Sequence, residues 1–351
     1  MFATWVNISG GVVERLIACG VQDLPEDPKD AEDFGFTAED IGDYFGDVLE
    51  KYGRNFEAIE FICGDNTSVN GKLADLITLW LKEKKNIDRV VPLIGCASHR
   101  LNLAVQTLYA ERSRFYEVVE RVHVLMVELG TLKNRYKLAS KTTLNPVKRN
   151  DTRWGSVFAM LKRYVDLKDI LDTCPFKQTW KDKFLLKPYE NYLVTELMDK
   201  LYECEKTSLW LQTHDARAVS LRSVRAAFDH LVGVIDELET KLSPDADVVH
   251  SPAFENALVK LQRNLPLTKA DKALLVAFKK GIATPEEPKE NETHSEMLER
   301  LDREAARDQD GFKSTFHVSP TSNIAERLFS RAGIIMRPHR RVRREEWTHP
   351  H

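Results

Sequence analysis

The hydrophobic pattern of this chain changes period at Cys96, and that change limits the folds open to it. Ahead of Cys96, short apolar runs alternate with helical stretches. Phe2–Val6 and Val12–Ala18 are rich in strand formers and flank Asn7-Ile8-Ser9-Gly10-Gly11, a hairpin signal. An acidic loop from Asp23 to Asp33 follows. Thr37-Ala38-Glu39-Asp40 then has capping-box spacing and predicts a helix to about Tyr52. Ala58–Cys63 reads as a buried strand closed by Gly64-Asp65-Asn66. Val69, Leu73, Leu76, Ile77, Trp80 and Leu81 mark one face of a helix over Ser68–Glu83. Val90–Ile94 is the next strand, and Pro92 places it at a sheet edge. Strand, helix and strand at this spacing predict a parallel pair.

Beyond Cys96 the helical period persists. Helices are expected from His99 to about Leu138, Trp154 to Leu171, Tyr189 to Gln212 and Arg217 to Lys241, with shorter ones at Pro252–Leu261 and Lys269–Lys280. The stretch Lys141–Asn150 breaks the pattern, and Thr284–Thr293, with Pro285 and Pro288, reads as a linker. A last helix is expected at Asn323–Ala332, stopped by Gly333, with Ile324, Leu328 and Phe329 packing back on the opening sheet. The expected fold class is α/β plus a large all-α insertion. Residues 1–139 form the α/β part, 140–283 the helical insertion, 284–294 the linker and 295–351 the closing part.

Composition bounds the function. In 351 residues, 51 Lys+Arg stand against 54 Asp+Glu, a net charge of −3, which excludes a uniformly basic nucleic-acid coat but not local basic patches. The five cysteines are unpatterned, as expected in a reducing compartment and not in a secreted disulfide framework. No apolar run reaches the length of a membrane span. The expectation is a soluble, unprocessed protein of the nucleus or cytoplasm with no membrane partner.

Several residues could carry chemistry, each beside a plainer alternative. Asp65 stands where a parallel strand ends, the edge at which open α/β sheets bind ligands, and Asp is equally a helix-capping residue. Cys96 and His99 are half of a zinc site without a second pair, so no structural zinc is expected; a buried thiol near an imidazole is the alternative. Arg153-Trp154 could place a ring on a base and a cation on phosphate, or Asp151 could cap a helix whose Trp packs in the core. Glu326 has capping-box spacing from Asn323. Downstream of it, Arg327, Arg331, Arg337, Arg340, Arg341, Arg343 and Arg344 crowd a stretch without Lys, which suits phosphate contact or a solvated tail.

The order of these motifs resembles that of hAT superfamily DNA transposases: Gly64-Asp65-Asn66, then Cys96-Ala97-Ser98-His99-Arg100-Leu101-Asn102-Leu103, then Arg153-Trp154, then Ser319-Pro320-Thr321-Ser322-Asn323-Ile324-Ala325-Glu326-Arg327-Leu328-Phe329-Ser330-Arg331-Ala332-Gly333. The last block is similar to the C-terminal hAT dimerisation region, and the likeness spans Phe2 to about Arg344. It implies an RNase H-like domain interrupted by a helical insertion. It also implies that Asp65 and Glu326 are the second and third of three acids holding two Mg²⁺ or Mn²⁺ ions, where metal-activated oxygen attacks phosphorus in line. Cys96 and His99 would then lie near that site, and Trp154 would support the DNA strand beside the cleavage point.

Against the family pattern, the first acid is missing. The family places it on a strand ahead of a hairpin like Phe2–Ala18, and no Asp precedes Asp23 here. The upstream DNA-binding zinc finger and the apolar end of the dimerisation region are not found either, so both ends look cut. That missing first strand is central in the family's sheet, so the sheet is expected to be split or the fold marginal with the hairpin detached. The resulting expectation is a catalytically degenerate, DNA-binding chain, with self-association through its C-terminal region. The alternatives are an active metal-dependent nuclease or transposase whose first acid lies elsewhere, and a non-enzymatic interaction scaffold built on the helical insertion.

Overall fold

The computed structural model describes residues 37–150, 153–213, 219–280, 311–315 and 317–323, together with the backbone of 2–6 and 12–16. In chain order the elements are β1 (Phe2–Val6), β2 (Val12–Leu16), α1 (Ala38–Lys51), β3 (Ile62–Gly64), α2 (Ser68–Lys85), β4 (Leu93–Gly95), α3 (Ala97–Thr107), α4 (Tyr116–Leu129), α5 (Leu132–Ala139), α6 (Trp154–Thr173), α7 (Gln178–Phe184), α8 (Pro188–Leu211), α9 (Leu221–Val234), α10 (Glu239–Leu242), α11 (Pro252–Gln262) and α12 (Lys269–Leu274). Most of the structure is helical, beside a small two-stranded parallel sheet.

The chain divides into two compact units. The first comprises Met1–Ile94, Asp215–Arg222 and His250–His351. Its described strands form two separate pairs, β1 with β2 and β3 with β4. In the antiparallel hairpin the register runs from Phe2 opposite Leu16 to Val6 opposite Val12. The β3–β4 pair is parallel and short, because Ala58 closes a 3₁₀ turn and Pro92 lends only its carbonyl, which accepts from Ile62 N–H at 2.9 Å.

Helix α1 starts where its capping box says it should: Asp40 N–H donates to Thr37 Oγ1 at 3.1 Å, and Thr37 N–H donates to Asp40 Oδ2 at 2.9 Å. Leu73, Ile77 and Leu81 on α2 meet Ala38 and Val91 in one apolar cluster, as the periodicity requires. α2 ends at Asn86, whose left-handed backbone (φ 53°) satisfies the last carbonyls. A second cluster joins Ile94 to Leu221, to Phe254 and Leu258 on α11, and to Leu275, Phe278, Phe312 and Val318. Gly311 and Lys313 are held there by backbone: Lys313 N–H donates to the Phe278 carbonyl at 2.7 Å, and Lys280 N–H to the Gly311 carbonyl at 2.9 Å.

The second unit, Gly95–His214 with Ser223–Val249, is built from α3 to α10. α4 packs on α6 and α8, and α3 packs on α8 and α10. Leu125, Leu161, Leu197, Leu201 and Leu238 are fully buried at its centre. The single helix expected over His99–Leu138 is three helices. Ser113 N–H turns back to the Ala110 carbonyl at 2.7 Å in a polar stretch, and Gly130 closes α4 by donating to the Met126 carbonyl at 3.1 Å. Likewise Arg217–Lys241 becomes α9, a 3₁₀ turn at Asp236–Leu238 and α10, and α7 is an added helix. Among the described residues, no helix is long and apolar enough to cross a membrane. The expected linker, and the closing helix except Asn323, lie outside the described residues.

Candidate functional site

β3 ends at Gly64, where a Cβ would stand 2.7 Å from Asn70 Nδ2 and would oblige that side chain to shift. The next residue, Asp65, is exposed at the start of α2. Its Oδ1 accepts from Thr67 Oγ1 at 2.9 Å and from Asn70 Nδ2 at 2.7 Å, with Thr67 N–H at 3.4 Å. Asn70 also donates to the Asp65 carbonyl at 3.2 Å. These bonds organise the first turn of a helix whose formal N-cap, Thr67, makes no side-chain cap bond of its own. Beside it, both amide atoms of Asn66 are closed off from solvent without a hydrogen-bond partner among the described residues, an orphaned polar group of a kind that is rare in native structures. Glu326, Arg327, Arg331, Arg340 and Arg341 lie outside the described residues.

Among the described residues, no three His, Cys, Asp or Glu side chains converge as metal ligands. The described donors therefore do not by themselves fit a two-metal centre.

In the helical unit, Cys96 is the N-cap residue of α3 and its side chain is fully buried, while His99 is half-buried one turn on. Trp154 opens α6. Only 6% of it is exposed, its ring lies 5.9 Å from that of Phe158, and its backbone N–H donates to Asn102 Oδ1 at 3.3 Å. Arg153, the N-cap residue just before it, is exposed.

A cluster that no sequence motif marks lies in the first unit. His317, nearly buried, places Nε2 3.0 Å from Glu60 Oε2 and Nδ1 3.1 Å from the Ser314 carbonyl. The two neighbours are a carboxylate oxygen and a backbone carbonyl. Lys313 Nζ reaches the other Glu60 oxygen at 3.1 Å. Nearby, Arg89 donates to the carbonyls of Ile59 and Glu57 at 2.7 and 2.8 Å. Burial alone would raise the Glu60 carboxyl, but its bonds to His317 and Lys313 outweigh it and hold Glu60 below its ordinary value of 4.5. Burial lowers Arg89 from its ordinary value, opposed by the charges of Glu60 and Glu57.

A carboxyl whose folded value is depressed stabilises the fold above 4.5 and loses that contribution as pH falls through the lower folded value. Glu60→Gln should therefore cost about 1–3 kcal/mol in a urea titration at neutral pH and should flatten the acid limb of the stability–pH curve. An unchanged acid limb would show that Glu60 carries no linked stability.

No protein-family model matches this chain, and neither does any curated protein.

Proposed function

We propose that this chain is a hAT transposase-like protein of RNase H-like ancestry that binds DNA, self-associates through its C-terminal region, and does not cleave DNA as an isolated chain. The observation that carries the reading is where the motifs fall. Gly64 closes β3 with Asp65 and Asn66 directly after it, Cys96 follows β4 directly, and these two strands are parallel. Each motif thus sits at the carboxyl end of its strand, where such sheets bind ligands. The non-cleaving part of the reading is supported by Asp65 itself, whose Oδ1 is engaged in starting α2.

The test is a pair of assays on the full chain. Fluorescence anisotropy with labelled duplex and single strands should show affinity falling as salt rises, the mark of phosphate contact. Incubation with Mg²⁺ or Mn²⁺ should leave the DNA intact. Asp65→Ala should cost about 1 kcal/mol of stability, the size of a missing cap, without changing DNA affinity. Cleavage by the parent chain that Asp65→Ala abolishes would replace this reading with the nuclease one.

A further inference from the structure

From Gly130 to Asn150 the sequence carries six cations (Lys133, Arg135, Lys137, Lys141, Lys148 and Arg149) and no acid, within a chain whose net charge is −3. Arg149 pairs with Glu120 at 2.5 Å, and Lys137 lies 5.4 Å over the Phe176 ring. Lys133, Arg135, Lys141 and Lys148 are exposed.

α5 is turned in an unusual sense. Its polar Asn134 faces inward with Leu138, at 5% and 2% exposure, while Leu132 and Tyr136 face outward at 89% and 82%. Four residues apart on a helix, Leu132 and Tyr136 form one ridge. Lys133 and Arg135 fall on either side of that ridge by the same geometry. A single exposed Leu is ordinary; an aromatic–aliphatic ridge fenced by cations is not. The helix is fixed in this orientation, because Asn134 Nδ2 donates to the Glu128 carbonyl at 3.0 Å and to its Oε1 at 2.8 Å. Glu128 is thereby turned inward, where Trp180 Nε1 also meets it at 3.3 Å. The chain returning from α5 runs close to it. Arg135 donates to Asn145 Oδ1 at 3.3 Å, and Lys148 Cε lies 3.3 Å from where a Cβ on Gly130 would stand, two residues before α5.

We infer that α5 and the returning segment bind single-stranded DNA, with Lys133, Arg135 and Lys148 on phosphates and a base stacked on Tyr136. The inference rests on the DNA-binding reading above but uses none of its motif residues. Phosphates match a stretch that carries six cations and no acid of its own, with Glu128 beside it turned inward, and this electrostatic contact is indifferent to sequence. The exposed ring selects the strand form. Every base has a face that stacks on an aromatic side chain, but in a duplex those faces are already stacked on each other.

The test is anisotropy on the full chain with labelled oligo-dT and with a duplex, across a salt series. Tyr136→Ala should weaken oligo-dT binding about 5- to 150-fold and leave the duplex nearly unchanged. Lys133→Ala with Arg135→Ala should weaken both and reduce the slope of log K against log salt on oligo-dT by about 0.7 for each phosphate no longer neutralised. These side chains are exposed, and circular dichroism should show every variant folded. If the parent chain binds oligo-dT and all variants bind equally, the inference falls while the DNA-binding reading stands. Weakening by the cation variant but not by Tyr136→Ala would overturn the stacked base. A parent chain that binds neither form of DNA would sink both. Oligo-rU bound more tightly than oligo-dT would overturn DNA as the ligand in favour of RNA.

Discussion

Trp154→Ala should lower the stability of the helical unit by about 3–5 kcal/mol, the range for emptying a buried aromatic site. The ring is 6% exposed and packs at 5.9 Å on Phe158, which in turn meets Tyr202 edge-on at 5.1 Å. The loss should appear as an earlier urea midpoint with the near-ultraviolet aromatic signal falling in the same transition. The resemblance gives this Trp a role beside DNA, so folding and binding must be separated. Trp154→Phe keeps an aromatic ring against Phe158 and should retain most of the stability. If Trp154→Phe folds normally and loses DNA affinity, the ring meets DNA. If it folds and binds as the parent does, Trp154 serves packing.

Phe278→Ala should have an effect of similar size, about 3–5 kcal/mol, in the first unit. Phe278 is fully buried, with ring centroids 6.0 Å from both Phe254 and His317. Its carbonyl also accepts from Lys313 N–H at 2.7 Å, so its backbone holds Lys313 while its ring meets His317 and, on α11, Phe254. Removing the ring opens a void that a close-packed interior fills only in part. Hydrogen exchange should show the amides of Lys313 and Val318 losing protection before those of α2, whose Leu73, Ile77 and Leu81 belong to the other apolar cluster. Simultaneous loss in both places would show that the two clusters unfold as one.

What the sequence made legible was local. The Thr37–Asp40 box, the period of α2 and the Phe2–Leu16 hairpin are each set within a few residues, and the structure has them where the pattern puts them. The helix run after Cys96 was legible as helical but not as segmented. A polar turn at Ser113 and a Gly-Thr step at 130–131 interrupt a period that an amphipathic pattern averages over. The burial of Trp154 could not be read, because a Trp at a helix start fits a core and a nucleic-acid surface equally well. Glu60 and His317 stand 257 positions apart, and neither has a neighbour in sequence that announces the pair. The Gly130–Asn150 stretch did carry a usable signal, its lack of any acid, but only the structure showed that Tyr136 points out and Asn134 in.

The first unit is discontinuous in the chain, and this sets the order of events during synthesis. Ile94 belongs to a cluster whose other members, from Leu221 to Val318, are all made after most or all of the intervening helices. At roughly 5–20 residues per second, the ribosome leaves that apolar surface waiting for on the order of ten seconds. During this interval the helical unit can complete its own packing while the opening strands stay exposed to chaperones and to one another. The nascent protein is therefore most vulnerable to aggregation before α11 emerges, and a stall in that window would strand the amino-terminal half without its partner.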